Sequence, residues 1–221
     1  MMNCLDRLEE EVIKILVIGD AGVGKTSFVQ RYVKDEFNKD YKCTIGFDSV
    51  NKIIKSHGGK PVNFKLQIWD IAGQDRFPLL TRSYYKYARG CLLLFDITRH
   101  QTFENVSKWK ESLDKNLDPD SPAIPCLLVA NKSDKDSDRQ VSYNEIEEIC
   151  QRLNFVQWTE TSVKAGTMVQ ETVTYLIDVI LGNSPKDYSP SEFEHVDSVS
   201  LVDLEVSHNT NKRKTKCAAC R

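Results

Sequence analysis

Between residues 11 and 182 the apolar positions fall into two alternating patterns. Val12–Gly19 reads as a buried strand, and short continuous apolar runs, as expected for strands covered on both faces, occur at Gly90–Ile97 and Ile124–Ala130. Stretches with apolar residues three and four apart, the spacing of an amphipathic helix, occur at Lys25–Lys34, Thr102–Leu117 and Tyr143–Leu153. A final helix over Thr167–Leu181 gathers Val169, Val173, Leu176, Ile177, Ile180 and Leu181 on one stripe, and Gly182 supplies its stop. Val50–Ser56 and Val62–Ile71 are rich in β-formers, with His57-Gly58-Gly59 as a hairpin turn between them; Phe155–Thr159 reads as a last short strand. The alternation predicts an α/β fold. Its sheet is six-stranded and mostly parallel, with one antiparallel edge strand and helices on both faces.

The pattern stops at Gly182. Residues Asp187–Asn211 contain six acids and no Lys or Arg, and Lys212–Arg221 contains five bases and no acid. This predicts three regions: an N-terminal extension over 1–10, one domain over 11–182, and a flexible tail over 183–221. A small helix through Val199–Val206 packing back on the domain is the alternative for the tail. Composition then removes several classes. A formal net charge of -2 argues against non-specific nucleic-acid binding. A hydrophobic fraction of 40% excludes wholesale disorder. No apolar run approaches the roughly 18 residues of a membrane span, and Met1–Glu11 lacks the apolar stretch of a signal peptide. Seven cysteines, with Cys4, Cys43, Cys91, Cys126 and Cys150 scattered, fit a reduced setting better than a disulfide scaffold.

Gly19-Asp20-Ala21-Gly22-Val23-Gly24-Lys25-Thr26 matches GxxxxGK[ST] between a predicted strand and a predicted helix. The glycines let backbone N–H groups turn in around a polyphosphate, and the helix N-terminus adds positive potential. Lys25 supplies a point charge for the β- and γ-phosphates, and the Thr26 hydroxyl supplies a Mg²⁺ ligand. The candidate nucleotide contacts in this run are Asp20, Ala21, Gly22, Val23, Gly24, Lys25, Thr26 and Ser27.

The motif by itself leaves both base and reaction open. Asn131-Lys132-Ser133-Asp134 follows the strand Ile124–Ala130 and narrows the base. The Asp134 carboxylate can accept from N1–H and the N2 amine of guanine, a donor pair that adenine lacks. Asn131 can tie this loop to the phosphate loop, and Lys132 can lay its stem over the base. Trp69-Asp70-Ile71-Ala72-Gly73-Gln74 narrows the reaction. Asp70 is placed to hold Mg²⁺ through water, Gly73 to offer its N–H to a γ-phosphate, and Gln74 to orient an attacking water as the catalytic residue. Thr44 is a second candidate hydroxyl for Mg²⁺. A loop held by the γ-phosphate and released on hydrolysis is a switch.

With these motifs in this order, the chain resembles the Ras superfamily of small GTPases and, within it, the Rab family. The likeness to this P-loop G-domain covers residues 11–181. Lys65-Leu66-Gln67-Ile68-Trp69, Tyr84-Tyr85 and Leu94-Phe95-Asp96-Ile97-Thr98 look Rab-specific. Ile71, Trp158-Thr159-Glu160-Thr161-Ser162 and Pro125-Cys126-Leu127-Leu128 look like the branch serving lysosome-related organelles and the trans-Golgi. The resemblance implies a GDP/GTP switch in vesicle traffic that hydrolyses GTP slowly and recruits effectors when GTP-bound. It implies Phe37 edge-on to guanine and Tyr41 closing over the phosphates. Ser162, Val163 and Lys164 become the third guanine loop, reaching the base oxygen through backbone N–H groups. The implied cofactors are GTP or GDP with Mg²⁺. The implied partners are an exchange factor, a GTPase-activating protein, a GDP-dissociation inhibitor or escort protein, and effectors, with the protein itself a monomer and no nucleic acid bound.

Two other readings share the phosphate loop. A phosphotransferase would need an acceptor pocket and an Arg-rich lid, and no such insertion is visible. A pseudo-GTPase scaffold is disfavoured by retention of Thr44, Asp70 and Gln74. Three positions depart from the Rab pattern. The Ala21 methyl is expected to crowd Gln74 and slow intrinsic hydrolysis. Thr44-Ile45-Gly46-Phe47-Asp48-Ser49 carries its Phe two places early. The family's aromatic effector triad, which includes Trp69 and a Tyr, is therefore expected to lose its Phe at Ser49. Asp75 replaces Glu. Thr81 is a candidate phosphorylation site.

The tail ends Cys217-Ala218-Ala219-Cys220-Arg221 behind Lys212, Arg213, Lys214 and Lys216. Two lipid chains, or one chain and a basic patch, anchor stably where one chain alone does not. Cys217 and Cys220 are the candidate prenylation sites. The implied location is the cytoplasmic face of a Golgi, endosomal or lysosome-related membrane, cycling with cytosol.

Overall fold

The computed structural model describes residues 11–38, 44–73, 83–117 and 123–183. Its elements are β1 (Glu11–Ile18), α1 (Lys25–Lys34), β2 (Phe47–His57), β3 (Lys60–Ile71), β4 (Gly90–Asp96), α2 (His100–Glu104), α3 (Val106–Asn116), β5 (Cys126–Asn131), a 3₁₀ turn (Ser133–Asp138), α4 (Tyr143–Arg152), β6 (Gln157–Thr161) and α5 (Val169–Ile180). The six strands form one sheet in the order β2-β3-β1-β4-β5-β6. Only β2 runs antiparallel to its neighbour.

Strand side chains alternate between faces, so each central strand feeds two cores. Ile13, Ile15 and Val17 of β1, Leu92 and Leu94 of β4, and Leu127 and Val129 of β5 pack against α1 and α5 through Phe28, Val29, Val173 and Leu176. Leu16, Ile18, Cys91, Leu93, Phe95, Cys126 and Leu128 face the other way. They meet Phe103, Val106 and Leu113 from α2 and α3, and Ile146, Ile149 and Cys150 from α4. Cys91, Cys126 and Cys150 are buried free thiols. No helix among the described residues is long and apolar enough to cross a membrane.

Three of the differences from the periodicity have a clear physical origin. β2 starts at Phe47 rather than Val50, because Phe47, Asp48 and Ser49 continue the ladder against Ile71, Asp70 and Trp69. β6 starts two residues late because Phe155 turns into the second core instead of pairing. The stretch read as one helix over Thr102–Leu117 is two, α2 and α3, meeting at Asn105, whose backbone stays near-helical (φ -74, ψ -10).

Two local devices fasten the periphery. Gly58 and Gly59 both have positive φ (57° and 71°), as a tight hairpin turn needs, and beside them His57 Nε2 lies 2.8 Å from Asp178 Oδ1 of α5. α4 opens with a capping box in which the Ser142 hydroxyl and the Glu145 carboxylate satisfy each other's backbone N–H groups. Hydrogen bonds from the Ser142 hydroxyl and backbone pull the Glu145 carboxyl down from 4.5 to about 2. A depressed carboxyl contributes stability that is full above its unfolded value and lost as pH falls through its folded one. Ser142→Ala is therefore expected to lower stability by about 1 kcal/mol at neutral pH. In urea titrations of the GDP-loaded protein it should also flatten the acid loss of stability between pH 4.5 and about 2.

A candidate nucleotide-binding site

The candidate groups among the described residues sit at or just beyond the carboxyl ends of the parallel strands. This is the crevice where the sheet order reverses around β1 and where open α/β sheets bind ligands. β1 delivers the loop 19–26, β3 delivers Asp70, β4 Asp96, β5 Asn131, and β6 runs into Ser162.

The phosphate loop needs glycine at two points for different reasons. At Gly19 (φ 133°) a Cβ would lie 2.1 Å from Leu94 O. At Gly24 (φ 103°), the N-cap residue just before α1, it would lie 2.5 Å from Asn131 Nδ2. The buried Lys25 ammonium donates to Gly19 O and Asp20 O, each at 2.8 Å. Asn131 Nδ2 donates to Val23 O at 2.7 Å, while Asn131 Oδ1 accepts from Thr161 Oγ1 (3.2 Å) and Val163 N (3.4 Å). One buried side chain thus joins the loops after β1, β5 and β6. The Asp20 carboxylate faces away from the loop interior, accepting from Trp109 Nε1 at 2.7 Å and Asn105 Nδ2 at 2.8 Å. Ser27 is half-buried in the first turn of α1.

Beside this cradle three oxygen donors converge. Thr26 Oγ1 lies 2.8 Å from Thr44 Oγ1 and donates to Asp70 Oδ2 at 2.5 Å; Thr44 Oγ1 reaches the same oxygen at 3.2 Å. Asp70 is buried, and its Oδ1 has no hydrogen-bond partner among the described residues. Burial pushes the Asp70 carboxyl up, against the pull of Thr26, Lys25 and Thr44. An orphaned carboxylate oxygen among hard oxygen donors is the set a small divalent cation takes. Gly73 lies on the loop itself, where a Cβ would come within 2.3 Å of Ala21 N.

The third corner holds Asp134, which accepts from Ser162 Oγ at 2.7 Å and pairs with Lys164 Nζ at 3.6 Å. Lys132 adopts a left-handed conformation (φ 73°) and donates to Asp96 Oδ2 at 2.6 Å. Burial would raise the Asp96 carboxyl, but Lys132 and the Thr98 donors outweigh it and hold the carboxyl below its usual range. Val163 is buried, and Phe37, beyond the end of α1, is about one-third exposed (36%). Tyr41, Gln74, Asp75, Thr81, Cys217 and Cys220 lie outside the described residues, and with Gln74 goes the expected crowding by Ala21.

One expectation is corrected. The aromatic triad is not lost at Ser49. Phe47 stacks on Trp69 with ring centroids 4.5 Å apart and planes 7° apart, and it stands 4.8 Å from Tyr84. Residues two apart on a strand share a face, so moving the ring from 49 to 47 keeps it on the side of Trp69. Lys14 supports the platform from below. Its ammonium sits 3.8 Å over the Trp69 ring and donates to Tyr84 O and Lys86 O, and burial pushes it down to about 8.

Several braces carried no motif signal. Arg31 donates to Val163 O (3.0 Å) and Lys164 O (3.1 Å), and Arg99 donates to Ala21 O (3.1 Å). Position on a helix face could have suggested Arg31, one turn after the motif. Nothing local marked Arg99, Trp109 or Asn105.

A mostly parallel sheet whose strand ends assemble such a phosphate loop, oxygen cluster and carboxylate corner defines a P-loop nucleotide-binding protein. The Ras family model matches residues 14–182. The chain is 44% identical over 183 residues to Ras-related protein Rab-7L1 of Rattus norvegicus, covering 82% of this chain and 88% of that one. It is 41% identical over 204 residues to Ras-related protein Rab-32 of Homo sapiens (92% and 88%). To Ras-related protein Rab-32A of Dictyostelium discoideum it is 41% identical over 186 residues (83% and 84%). The chain belongs to the Ras family, in the Rab group that these relatives represent. It is a guanine-nucleotide-binding GTP hydrolase, a GTP switch of membrane trafficking that works with regulators and effectors in peripheral association with membranes.

Asn131→Ala strands Val23 O, Thr161 Oγ1 and Val163 N in a buried site. At about 1–3 kcal/mol for an unsatisfied buried group, GDP release is expected to accelerate at least ~10-fold, read by stopped-flow displacement of a fluorescent GDP.

Proposed function

We propose that residues 11–182 form one GDP/GTP switch domain, with the cleft beyond the strand ends as its guanine-nucleotide site. The observation that carries this reading is the orphaned Asp70 Oδ1 beside the hydroxyls of Thr26 and Thr44, at the mouth of the phosphate loop. That donor set supports Mg²⁺, ligated by Thr26 and Thr44 and held by Asp70 through water. Mg²⁺ bound there supplies neutralisation of the charge that develops on the β- and γ-phosphate oxygens. The chain does the rest. Backbone N–H groups from Asp20 to Thr26, with Ser27 behind them, cradle the phosphates, and Lys25 adds its charge. Gly73 offers its N–H to the γ-phosphate. Gln74 orients water for in-line attack on the γ-phosphorus, giving GDP and phosphate.

Asp134 takes the N1–H and N2 amine of guanine, and the Ser162 and Lys164 contacts support its orientation. Phe37 and Lys132 flank the base, Val163 meets the base oxygen, and Tyr41 closes over the phosphates. The triphosphate holds Thr44 and Gly73 together, and hydrolysis lets them go. Effectors read that difference on Phe47, Trp69 and Tyr84. The further partners are an exchange factor, a GTPase-activating protein and a GDP-dissociation inhibitor or escort protein. Segments 1–10 and 183–221 flank the domain, and prenyl groups on Cys217 and Cys220 hold it on a Golgi, endosomal or lysosome-related membrane.

Single-turnover hydrolysis tests the site. Gln74→Leu should slow it about 10-fold or more, ~1.4 kcal/mol of barrier per tenfold, with GDP affinity unchanged. Asp134→Asn replaces one acceptor by a donor. It should lose GDP and gain the xanthine nucleotide, whose C2 oxygen accepts where guanine donates. Retained guanine preference in that variant removes Asp134 from the base site. Intact mass of the C-terminal peptide from eukaryotic cells reads the tail: two prenyl additions are expected, and an unmodified peptide overturns the anchor.

A further inference from the structure

The outer side of the phosphate loop is braced by a guanidinium that none of the site's motifs contains. Arg99 precedes α2, with extended backbone (φ -135, ψ 95). Its Nε donates to Asp96 Oδ2 at 2.9 Å and its Nη2 donates to Ala21 O at 3.1 Å. Its Nη2 and Nη1 lie 3.6 and 3.8 Å from where a Cβ on Gly22 would stand. The carboxylate that aims it is fully committed. Asp96 is buried, its Oδ1 accepts from Thr98 N (3.0 Å) and Thr98 Oγ1 (2.7 Å), and its Oδ2 is shared between Arg99 and Lys132.

The peptide plane turns this contact into a statement about the ligand. In a trans peptide the carbonyl of one residue and the N–H of the next point in opposite directions. Holding Ala21 C=O outward fixes Gly22 N–H on the inner side. A glycine flanking that peptide, free to take φ of either sign, gives the loop little resistance of its own to a flip. A planar fork with donors in fixed geometry suits the task, since it binds the carboxylate through Nε and the carbonyl through Nη2 at once.

We propose that Arg99 is a positioning residue for the polyphosphate. It keeps the Gly22 N–H turned into the cradle and, by sharing Asp96 with Lys132, ties the phosphate loop to the base loop. The proposal rests on the reading of 19–26 as the phosphate cradle. A competing account makes Arg99 an ordinary surface ion pair, since its side chain is 45% exposed, and such pairs contribute little. The two accounts differ in what the nucleotide feels.

Wild type, Arg99→Lys and Arg99→Ala, each loaded with GDP and Mg²⁺, separate them. The readouts are the release rate of a fluorescent GDP and the ³¹P spectrum of bound GDP. Arg99→Ala is expected to release GDP ~10-fold faster, the effect of one lost charge-assisted hydrogen bond, and to move the β-phosphorus resonance. Arg99→Lys keeps a cation for Asp96 but loses the fork, so its rate should fall between the two. Because Arg99 contributes nothing to either apolar core, its replacement leaves the packing intact. An Arg99→Ala protein with wild-type release rate and an unmoved β-phosphorus resonance overturns the proposal. Faster release with an unmoved resonance also overturns it, since the loop amide would then be undisturbed. A wild-type protein that retains no guanine nucleotide overturns the cradle reading itself.

Discussion

A run of backbone can turn its N–H groups toward one anion only if its carbonyls find partners on the opposite side. Each inward amide belongs to a rigid plane whose carbonyl points out, and a buried carbonyl left alone costs as much as a lost hydrogen bond. The loop between β1 and α1 meets this constraint with side chains from three directions. Lys25 takes Gly19 O and Asp20 O, Arg99 takes Ala21 O, and Asn131 takes Val23 O. Trp109 and Asn105 of the α2–α3 segment hold the Asp20 side chain as well. The rest of the site is arranged around these props. β4 and β5 must end where they do, because Asp96 and Asn131 are their last residues.

The same economy links the cation cluster to the aromatic platform. Thr44 reaches Asp70, the next-to-last residue of β3, and two residues on Gly46 O accepts from Ala72 N at 2.9 Å. Phe47 follows immediately and lies flat on Trp69, one residue before Asp70. The cluster and the platform are thus opposite faces of a few residues on two paired strands. Moving the aromatic ring from 49 to 47 shortens the chain between the Thr44 hydroxyl and the exposed ring from five residues to three. Lys14 then fixes the platform to β1 through Trp69 and the Tyr84 and Lys86 carbonyls.

The legible parts of this structure are those whose signal is local. Apolar runs located β1, β4 and β5 because both faces of those strands are covered, so alternation gives way to near-continuous hydrophobicity, broken within β1 by Lys14. The spacing GxxxxGK[ST] was legible because glycine there answers to backbone geometry and close approach, as at Gly19 and Gly24. Boundaries were less legible where pairing overrides composition: Asp48 and Ser49 are poor β-formers, yet the ladder carries them. The triad was misread because a motif was matched by position when the physical requirement is a shared strand face. Arg99 and Trp109 left no trace, since their partners lie 78 and 89 residues away.

Fastening at both ends determines what the β2–β3 hairpin can report. At its turn, His57 and Asp178 meet with little exposure and tie it to α5. At the other end, Gly46 O and the Thr44 hydroxyl tie it to the end of β3. Between them the antiparallel register runs unbroken from Phe47↔Ile71 to Ile54↔Phe64, with its one irregularity next to the turn. A ladder held this way resists sliding, because a one-residue slip would move the half-buried Val50 and Ile54 of β2 off the core face. A change at the cation cluster is therefore concentrated at the first residues of β2, where Phe47 stands.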